Sequence, residues 1–370
     1  MINAEYVTCA AKARLLIVIT FHFVKGRLVY LDKVLQSLAA FPVQGRDIVV
    51  FTNTTDSAEQ ECIRQVFRKA GLVDGCDARL VVEVDLAHPY HLAWAHKRLI
   101  SGAFLAPGSC YSHFVSLEDD LPLTFENFVY FLVARDILRP FDLVPAFLRT
   151  EWNTERECRV NTDSLAPIML AERPFILDGD YAFVGMDNPS YSAFILDRDL
   201  AREYVNSRSF DPKRSREVNP FGWFERAVLG WFFENPPAPL HFGVIERAAM
   251  CLTFENPPAP FLYRAVVPVS ISSRMAPQCA WLAHLPNNYA DNPGTPHGKI
   301  AMTDLFAGNF NPEKEVTLSS YKSTRQKLSP MKQSRRQKFS ARCYGLMRSI
   351  FGRDILGRLK KNHYLFAKHP

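Results

Sequence analysis

Four apolar runs, regularly interrupted by helical patterns, constrain the first third of this 370-residue chain more than any other feature. Leu15-Leu16-Ile17-Val18-Ile19-Thr20-Phe21 is apolar on both faces, so it predicts a strand buried on both sides. Asp47–Asn53 and Leu80–Val84 repeat the pattern, and His113–Leu117 predicts a fourth strand. Helical spacing lies between them: Leu28–Ala40, a segment capped by Asp56 or Ser57 and running to about Ala70, and Tyr90–Phe104. A βαβαβαβ order with continuous apolar strands predicts a mostly parallel sheet covered by helices. Ligands of such sheets sit outside the C-terminal strand ends. Thr20 and His22 lie at the end of the first strand and Asn53 at the end of the second, so these residues can line one cleft.

The fourth strand ends in three carboxylates, Glu118, Asp119 and Asp120. Pro122 then stops the strand, and Thr124 caps a helix that begins near Phe125. Acids clustered at the end of a core strand repel one another, and the usual relief is a divalent cation. Hard oxygen ligands suit Mn²⁺ or Mg²⁺, which keep open positions for phosphate oxygens. The competing reading is a solvated strand-end turn with a helix cap. No Gly-x-Gly-x-x-Gly follows the first strand and no Gly-x-x-x-x-Gly-Lys-Ser/Thr occurs, which disfavours dinucleotide and P-loop chemistry.

The second half is richer in Pro and Gly, as expected of irregular loops. Strands are predicted at Pro145–Leu148, Ala182–Gly185 and Ser192–Leu196, and a helix at Arg198–Asn206. Residues 225–239 and 246–260 are near-duplicates, each a short helical pattern ended by Asn-Pro-Pro. The eight cysteines are scattered without a Cys-x-x-Cys, so free thiols rather than a zinc site or disulfide framework are expected. The best leader candidate, Leu15–Val24, lacks a small-residue cleavage site and reads better as the first strand, which places the protein in the cytoplasm.

The net charge of +6 is unevenly spread. From Glu313 to Pro370 there are 15 Lys/Arg and 3 Asp/Glu, which leaves residues 1–312 net acidic. A basic tail on an acidic body argues against a nucleic-acid-binding core. Ser323–Ser340 predicts a flexible basic linker, and Arg342–Lys361 an amphipathic segment with Leu346, Ile350 and Phe351 on one face. Such a segment can lie on an anionic membrane surface, so a peripheral position on the inner membrane face is the expectation that goes with it. A protein-docked or disordered tail is the alternative. The domain expectation is 1–310 as one catalytic domain (donor half about 12–150, acceptor half about 151–310) followed by 311–370.

Leu-Ala-Trp-Ala-His-Lys (92–97), Leu-Glu-Asp-Asp…Phe-Glu-Asn-Phe (117–128) and His-Leu-Pro-Asn-Asn-Tyr (284–289) give the chain a family resemblance. Over about residues 15–306 it resembles nucleotide-sugar glycosyltransferases of the GT-A fold, and more narrowly bacterial GT-A-like proteins with a Leu-Glu-Asp-Asp motif. The resemblance implies an α/β, Rossmann-like, mixed and mostly parallel sheet with an irregular acceptor half. It implies a nucleotide-diphosphate sugar donor, a glycan or glycolipid acceptor, and Mn²⁺ or Mg²⁺ as cofactor. Asp120 matches the metal ligand, Asp119 or Glu118 the contact to ribose or a metal-bound water, and His284 or His297 a third metal ligand. The first acid is Glu118 where the family pattern has Asp, which leaves the ligating carboxylate open.

Lys97 is a candidate phosphate contact, against a solvated helix-face lysine. An inverting transfer needs a carboxylate base. Glu246 is favoured, with Glu225 and Asp180 as alternatives; Glu225 and Glu246 start the duplicated helices, where the dipole keeps them ionised. Arg149, Glu151 and Asn153 are expected at a polar strand end that meets sugar hydroxyls. Two other readings remain: a sugar nucleotidyltransferase, disfavoured because Phe-His-Phe-Val-Lys-Gly-Arg lacks a glycine run, and an inactive GT-A-like scaffold acting as a membrane-associated interaction module.

Overall fold

In the computed structural model the apolar runs form one parallel sheet. The structure describes residues 1–84, 86–186, 193–217, 226–227 and 264–328. In chain order the first half gives α1 (Ala4–Ala11), β1 (Arg14–Phe21), α2 (Leu28–Ala39), β2 (Gly45–Thr52), α3 (Ser57–Lys69), β3 (Ala78–Val82), α4 (His96–Leu99), β4 (His113–Glu118) and α5 (Phe125–Leu138). Strands β1, β2, β3 and β4 are mutually parallel, and β11 (Ala193–Asp197) adds antiparallel at the β4 edge, in the order β11-β4-β1-β2-β3. Leu15 through Ile19 are fully buried, as a central strand covered on both faces requires. The expected α/β arrangement, a mostly parallel sheet flanked by helices, is what the chain adopts.

Local chemistry sets the helix starts. Asp56 caps α3 by accepting the backbone N–H groups of Ala58 and Glu59. Thr124 caps α5, as the sequence predicts, and the structure completes the cap as a reciprocal box with Asn127. Asp197 caps α6 (Arg198–Val205) through Leu200 N–H at 2.7 Å and also holds buried Arg135 at 2.8 Å, so one carboxylate ties α5 to the sheet edge.

Three expectations need correcting. Tyr90–Phe104 is a broken helix: a 3₁₀ segment at Pro89–Trp94, then α4, then a π turn at Ile100–Phe104. The changing pitch leaves His96 and Lys97 buried, which a regular amphipathic helix would not. The predicted strand at Pro145–Leu148 is a crossing between sheets. Val144–Pro145 (β5) pairs with β12 (Ala265–Ser270), whereas Leu148–Asn153 (β6) pairs with β7 (Cys158–Asn161) and β13 (Trp281–Ala283). The predicted linker from Ser323 begins inside a helix, Leu318–Leu328.

The other second-half elements are short: β8 (Ile168–Met169), β9 (Phe175–Asp178), β10 (Tyr181–Gly185), β14 (Ile300–Ala301) and β15 (Phe306–Ala307). The chain divides into one unit at Met1–Leu318 and a second at Ser319–Pro370. Val316 belongs to the first because its buried side chain and its N–H, 2.8 Å from the Phe175 carbonyl, pin it there. Among the described residues no helix is long and apolar enough to cross a membrane. The tail segment Arg342–Lys361 lies outside the described residues, and of the duplicated segments only Arg226–Ala227 lies within them.

Candidate active site

The order β3-β2-β1-β4 places the topological switch between β1 and β4, because the chain leaves β1 for β2 on one side and returns to β4 on the other. In a parallel sheet the crevice opens at that point, outside the C-terminal strand ends. Thr20 pairs with Glu118 across the switch and with Phe51 on the other side. Asp119 and Asp120 follow at once and are 4% and 3% exposed, so solvent screens their charges little.

Arg27 supplies the compensation. It ends a 3₁₀ turn, Lys25–Arg27, that leads from β1 into α2. Its Nε donates to Asp119 Oδ2 at 2.8 Å, and its Nη2 donates to Asp119 Oδ1 and Asp120 Oδ2, both at 2.7 Å. Burial pushes Asp119 up to about 6, against the pull of Arg27. Burial also works against Asp120, but the hydrogen bond and charge of His284, together with Arg27, hold it below the usual carboxylate range.

His284 arrives from the far end of the chain. Its Nε2 lies 3.5 Å from Asp120 Oδ2, and its Nδ1 lies 2.5 Å from Glu151 Oε1. Burial would lower His284, but its two carboxylate partners raise it to about 9, so it is an imidazolium at neutral pH. Glu151 is fully buried on β6. It also accepts the backbone N–H groups of Asn288, Tyr289 and Ala290 at 3.1, 2.8 and 2.6 Å. Asn287, at φ 55°, makes the left-handed step that precedes these three amides. Glu151 therefore orients His284 and anchors the 284–290 loop instead of facing sugar hydroxyls. Arg149 and Asn153 are similarly engaged, Arg149 with Thr162 and Asp163 and Asn153 with the Ala290 carbonyl.

At the β1 and β2 ends, Phe23 N–H donates to Asn53 Oδ1 at 3.0 Å. That turns the Asn53 amide nitrogen toward His22 Nε2, 3.2 Å away, so His22 accepts there and carries its proton on Nδ1. Burial, then the charges of Arg27 and His88, lowers His22 and keeps it neutral. Lys97 is placed differently. Its buried amine donates to the Ser209 carbonyl at 2.6 Å and sits 3.8 Å from the Trp94 ring centroid, so a phosphate contact would require it to give up these partners. His96 is a core histidine, lowered to about 3 by burial. His297 bonds the Thr162 carbonyl. Asp180 lies exposed in the turn between β9 and β10. Glu225 and Glu246 lie outside the described residues.

No family model matches the chain, and no curated protein matches it. Two solved structures show a distant likeness. S. aureus TarS is 13% identical over 38% of this chain, with a TM-score of 0.24. An active-site mutant of LgtC is 12% identical over 60% of this chain and 70% of its own, with a TM-score of 0.30. The chain spans only 21% of the length of TarS. At such scores the fold and the site rest on this chain's own residues.

Those residues suit a hard divalent cation in kind. Asp119 and Asp120 offer oxygen donors, His284 offers a nitrogen donor once its Nε2 loses its proton, and Asp120 Oδ1 is buried with no hydrogen-bond partner among the described residues. An orphaned carboxylate oxygen in a dry site is costly unless something electropositive meets it. Among the described residues no three such side chains already converge as a cage, and Arg27 holds three of the four oxygens of Asp119 and Asp120.

A cavity of about 470 Å³ flanks this centre, lined among others by Trp152, Arg159, Met275, Gln278, Trp281 and Met302. Strand alternation separates the two. Thr150 and Trp152 of β6 face the cavity, while Glu151 between them carries His284. Pro122, two residues past Asp120, and Ala283, next to His284, also line it.

Proposed function

We propose that this protein transfers a sugar from a nucleoside-diphosphate sugar to a glycan or lipid-linked acceptor. The observation that carries the reading is the buried acid pair at the β1/β4 switch, with one Asp120 oxygen unpartnered and His284 brought to 3.5 Å from a region 164 positions later. Asp120, with Asp119 and, once its Nε2 has given up its proton, His284, would hold Mn²⁺ or Mg²⁺. That cation would supply charge neutralisation to the departing nucleoside diphosphate. Thr20, Glu118 and the His22–Asn53 pair edge the same crevice and suit contacts to ribose and base. If the transfer inverts, Glu246 or Glu225 is the proposed base.

The test is calorimetric titration of UDP, GDP and CMP, each with and without Mn²⁺. Cation-dependent binding of one nucleotide supports the reading and names the donor class. Absence of binding by all three favours the second reading, a scaffold without turnover, to which the grip of Arg27 on both acids lends support.

The acceptor is proposed to lie along the tryptophan-lined cavity. Trp152 is 49% exposed, and Trp281 has a buried indole N–H with no partner among the described residues. Sugars present both an apolar C–H face and hydroxyls, which match an aromatic platform with nearby donors. Trp152→Ala is expected to raise the acceptor KM roughly tenfold with kcat little changed, as loss of one aromatic platform implies. Steady-state kinetics at saturating donor checks this; a fall in kcat alone would remove Trp152 from the acceptor site. The basic tail is proposed to hold the protein at an anionic surface, and a chain ending at residue 312 is expected to lose binding to anionic vesicles.

A further inference from the structure

Arg27 has no place in the sequence reading, yet it makes the most direct contacts to the acid pair. Its fork takes both oxygens of Asp119 and one of Asp120, at 2.7–2.8 Å. His284 faces the same Asp120 oxygen from 3.5 Å. Arg27 is also the more movable partner. It sits on a short 3₁₀ turn after Gly26, and its side chain is 31% exposed, against 6% and 4% for the two aspartates.

We infer that Arg27 and a divalent cation exclude each other on Asp119 and Asp120: the guanidinium is the resting occupant, and the cation displaces it. The inference rests on the metal reading proposed above. A hard cation needs carboxylate oxygens that Arg27 now holds, because of the four oxygens of Asp119 and Asp120 only Asp120 Oδ1 is without a partner among the described residues. Charge balance also opposes double occupancy, since a guanidinium and a dication within bonding distance of the same oxygens repel one another. Once displaced, Arg27 remains at the mouth of the β1/β4 crevice. Its planar fork there suits the phosphate oxygens of a nucleoside diphosphate. The exchange makes cation and donor cooperative: the cation frees the arginine, and the donor's phosphates give it a new partner.

Two measurements test this. Mn²⁺ alone is titrated into the wild type and Arg27→Met by calorimetry, and then UDP, GDP and CMP are each titrated at saturating Mn²⁺. The expected result is at least tenfold tighter Mn²⁺ binding by Arg27→Met, together with at least tenfold weaker binding of the nucleotide that the wild type takes. Equal or weaker Mn²⁺ binding by the variant overturns the inference and leaves the metal reading intact. No Mn²⁺ binding by either protein overturns the metal reading itself, and the inference with it.

Arg27→Met leaves buried carboxylates unpaired, so the second measurement uses the wild type alone. Phenylglyoxal modification of Arg27 is followed by peptide mass spectrometry with and without Mn²⁺, the other arginines serving as internal controls. Displacement is expected to accelerate modification of Arg27 several-fold. An unchanged rate at Mn²⁺ saturation means that the guanidinium stays on the acids, and overturns the proposal.

Discussion

Asp120→Ala is expected to abolish Mn²⁺-dependent nucleotide binding and to lower transfer by about 10²–10³-fold, the scale on which a single charge-stabilising group is lost. The reason is positional. Asp120 is the residue that Arg27, His284 and the Leu285 N–H all meet, the last at 3.1 Å from its carbonyl. Its side chain also carries the unpartnered oxygen. Calorimetry with the nucleotide that binds the wild type reads the first effect, and a transfer assay the second. Circular dichroism guards against trivial unfolding, because the alanine leaves His284 with one carboxylate instead of two. Nucleotide binding of unchanged strength in the variant would return the acids to a strand-end turn with no part in donor recognition.

Glu151→Ala is expected to be the most destabilising single change at the site, costing about 3–5 kcal/mol, because it strips one partner from a buried ion pair and leaves three amides unpaired as well. Urea unfolding at pH 7 measures it. The pH dependence gives a second, sharper readout. The folded state raises His284 from 6.5 to about 9, so the stability it contributes is fully present below pH 6.5 and is lost as pH rises through 9. That rise corresponds to roughly 3 kcal/mol. Glu151 and Asp120 are lowered, so their contribution is present above the unfolded carboxylate range and is lost as pH falls. Asp119 runs the other way. Its carboxyl is raised to about 6, so it favours the folded state most below pH 4 and less as pH climbs through 6. The wild type is therefore expected to lose stability between pH 7 and 9.5, and Glu151→Ala to lose much less over that interval. Parallel alkaline slopes for the two proteins would mean that the pair does not control His284.

The sheet was legible in the sequence because its strands are buried on both faces. A strand of that kind carries an unbroken apolar run, as in Leu15–Ile19, and needs no knowledge of its neighbours to be seen. Acids at its end are equally visible, since Glu118-Asp119-Asp120 breaks such a run, and Thr124 with Asn127 three residues on is a local cap signal. Arg27 was not legible. It follows Gly26 in a turn with no periodicity, and its partners lie 92 and 93 positions away. Glu151 looked like a polar strand end, and only the 288–290 amides, supplied 137–139 residues later, turn it into a buried anchor. Lys97 was misleading for a similar reason: on a regular helix it would reach solvent, but the 3₁₀-to-α-to-π sequence rotates it inward against Ser209 and Trp94. Local pattern records what a residue is next to in the chain, whereas these three roles are set by what the fold brings across.

The separation of the acids' two cationic partners along the chain also sets an order of assembly at the ribosome. Arg27 emerges before Asp119 and Asp120, and β1, which leads into its turn, is the strand against which β4 pairs. A nascent chain that has formed this sheet can neutralise its acids at once. His284, and the Leu285 amide that bonds Asp120, follow only after another 160-odd residues have been made. Synthesis proceeds at about 5–20 residues per second, so the acid pair spends on the order of ten seconds with the arginine as its cationic partner from the chain. The same side chain that holds the finished site at rest would thus shield a half-made one from unpaired charge.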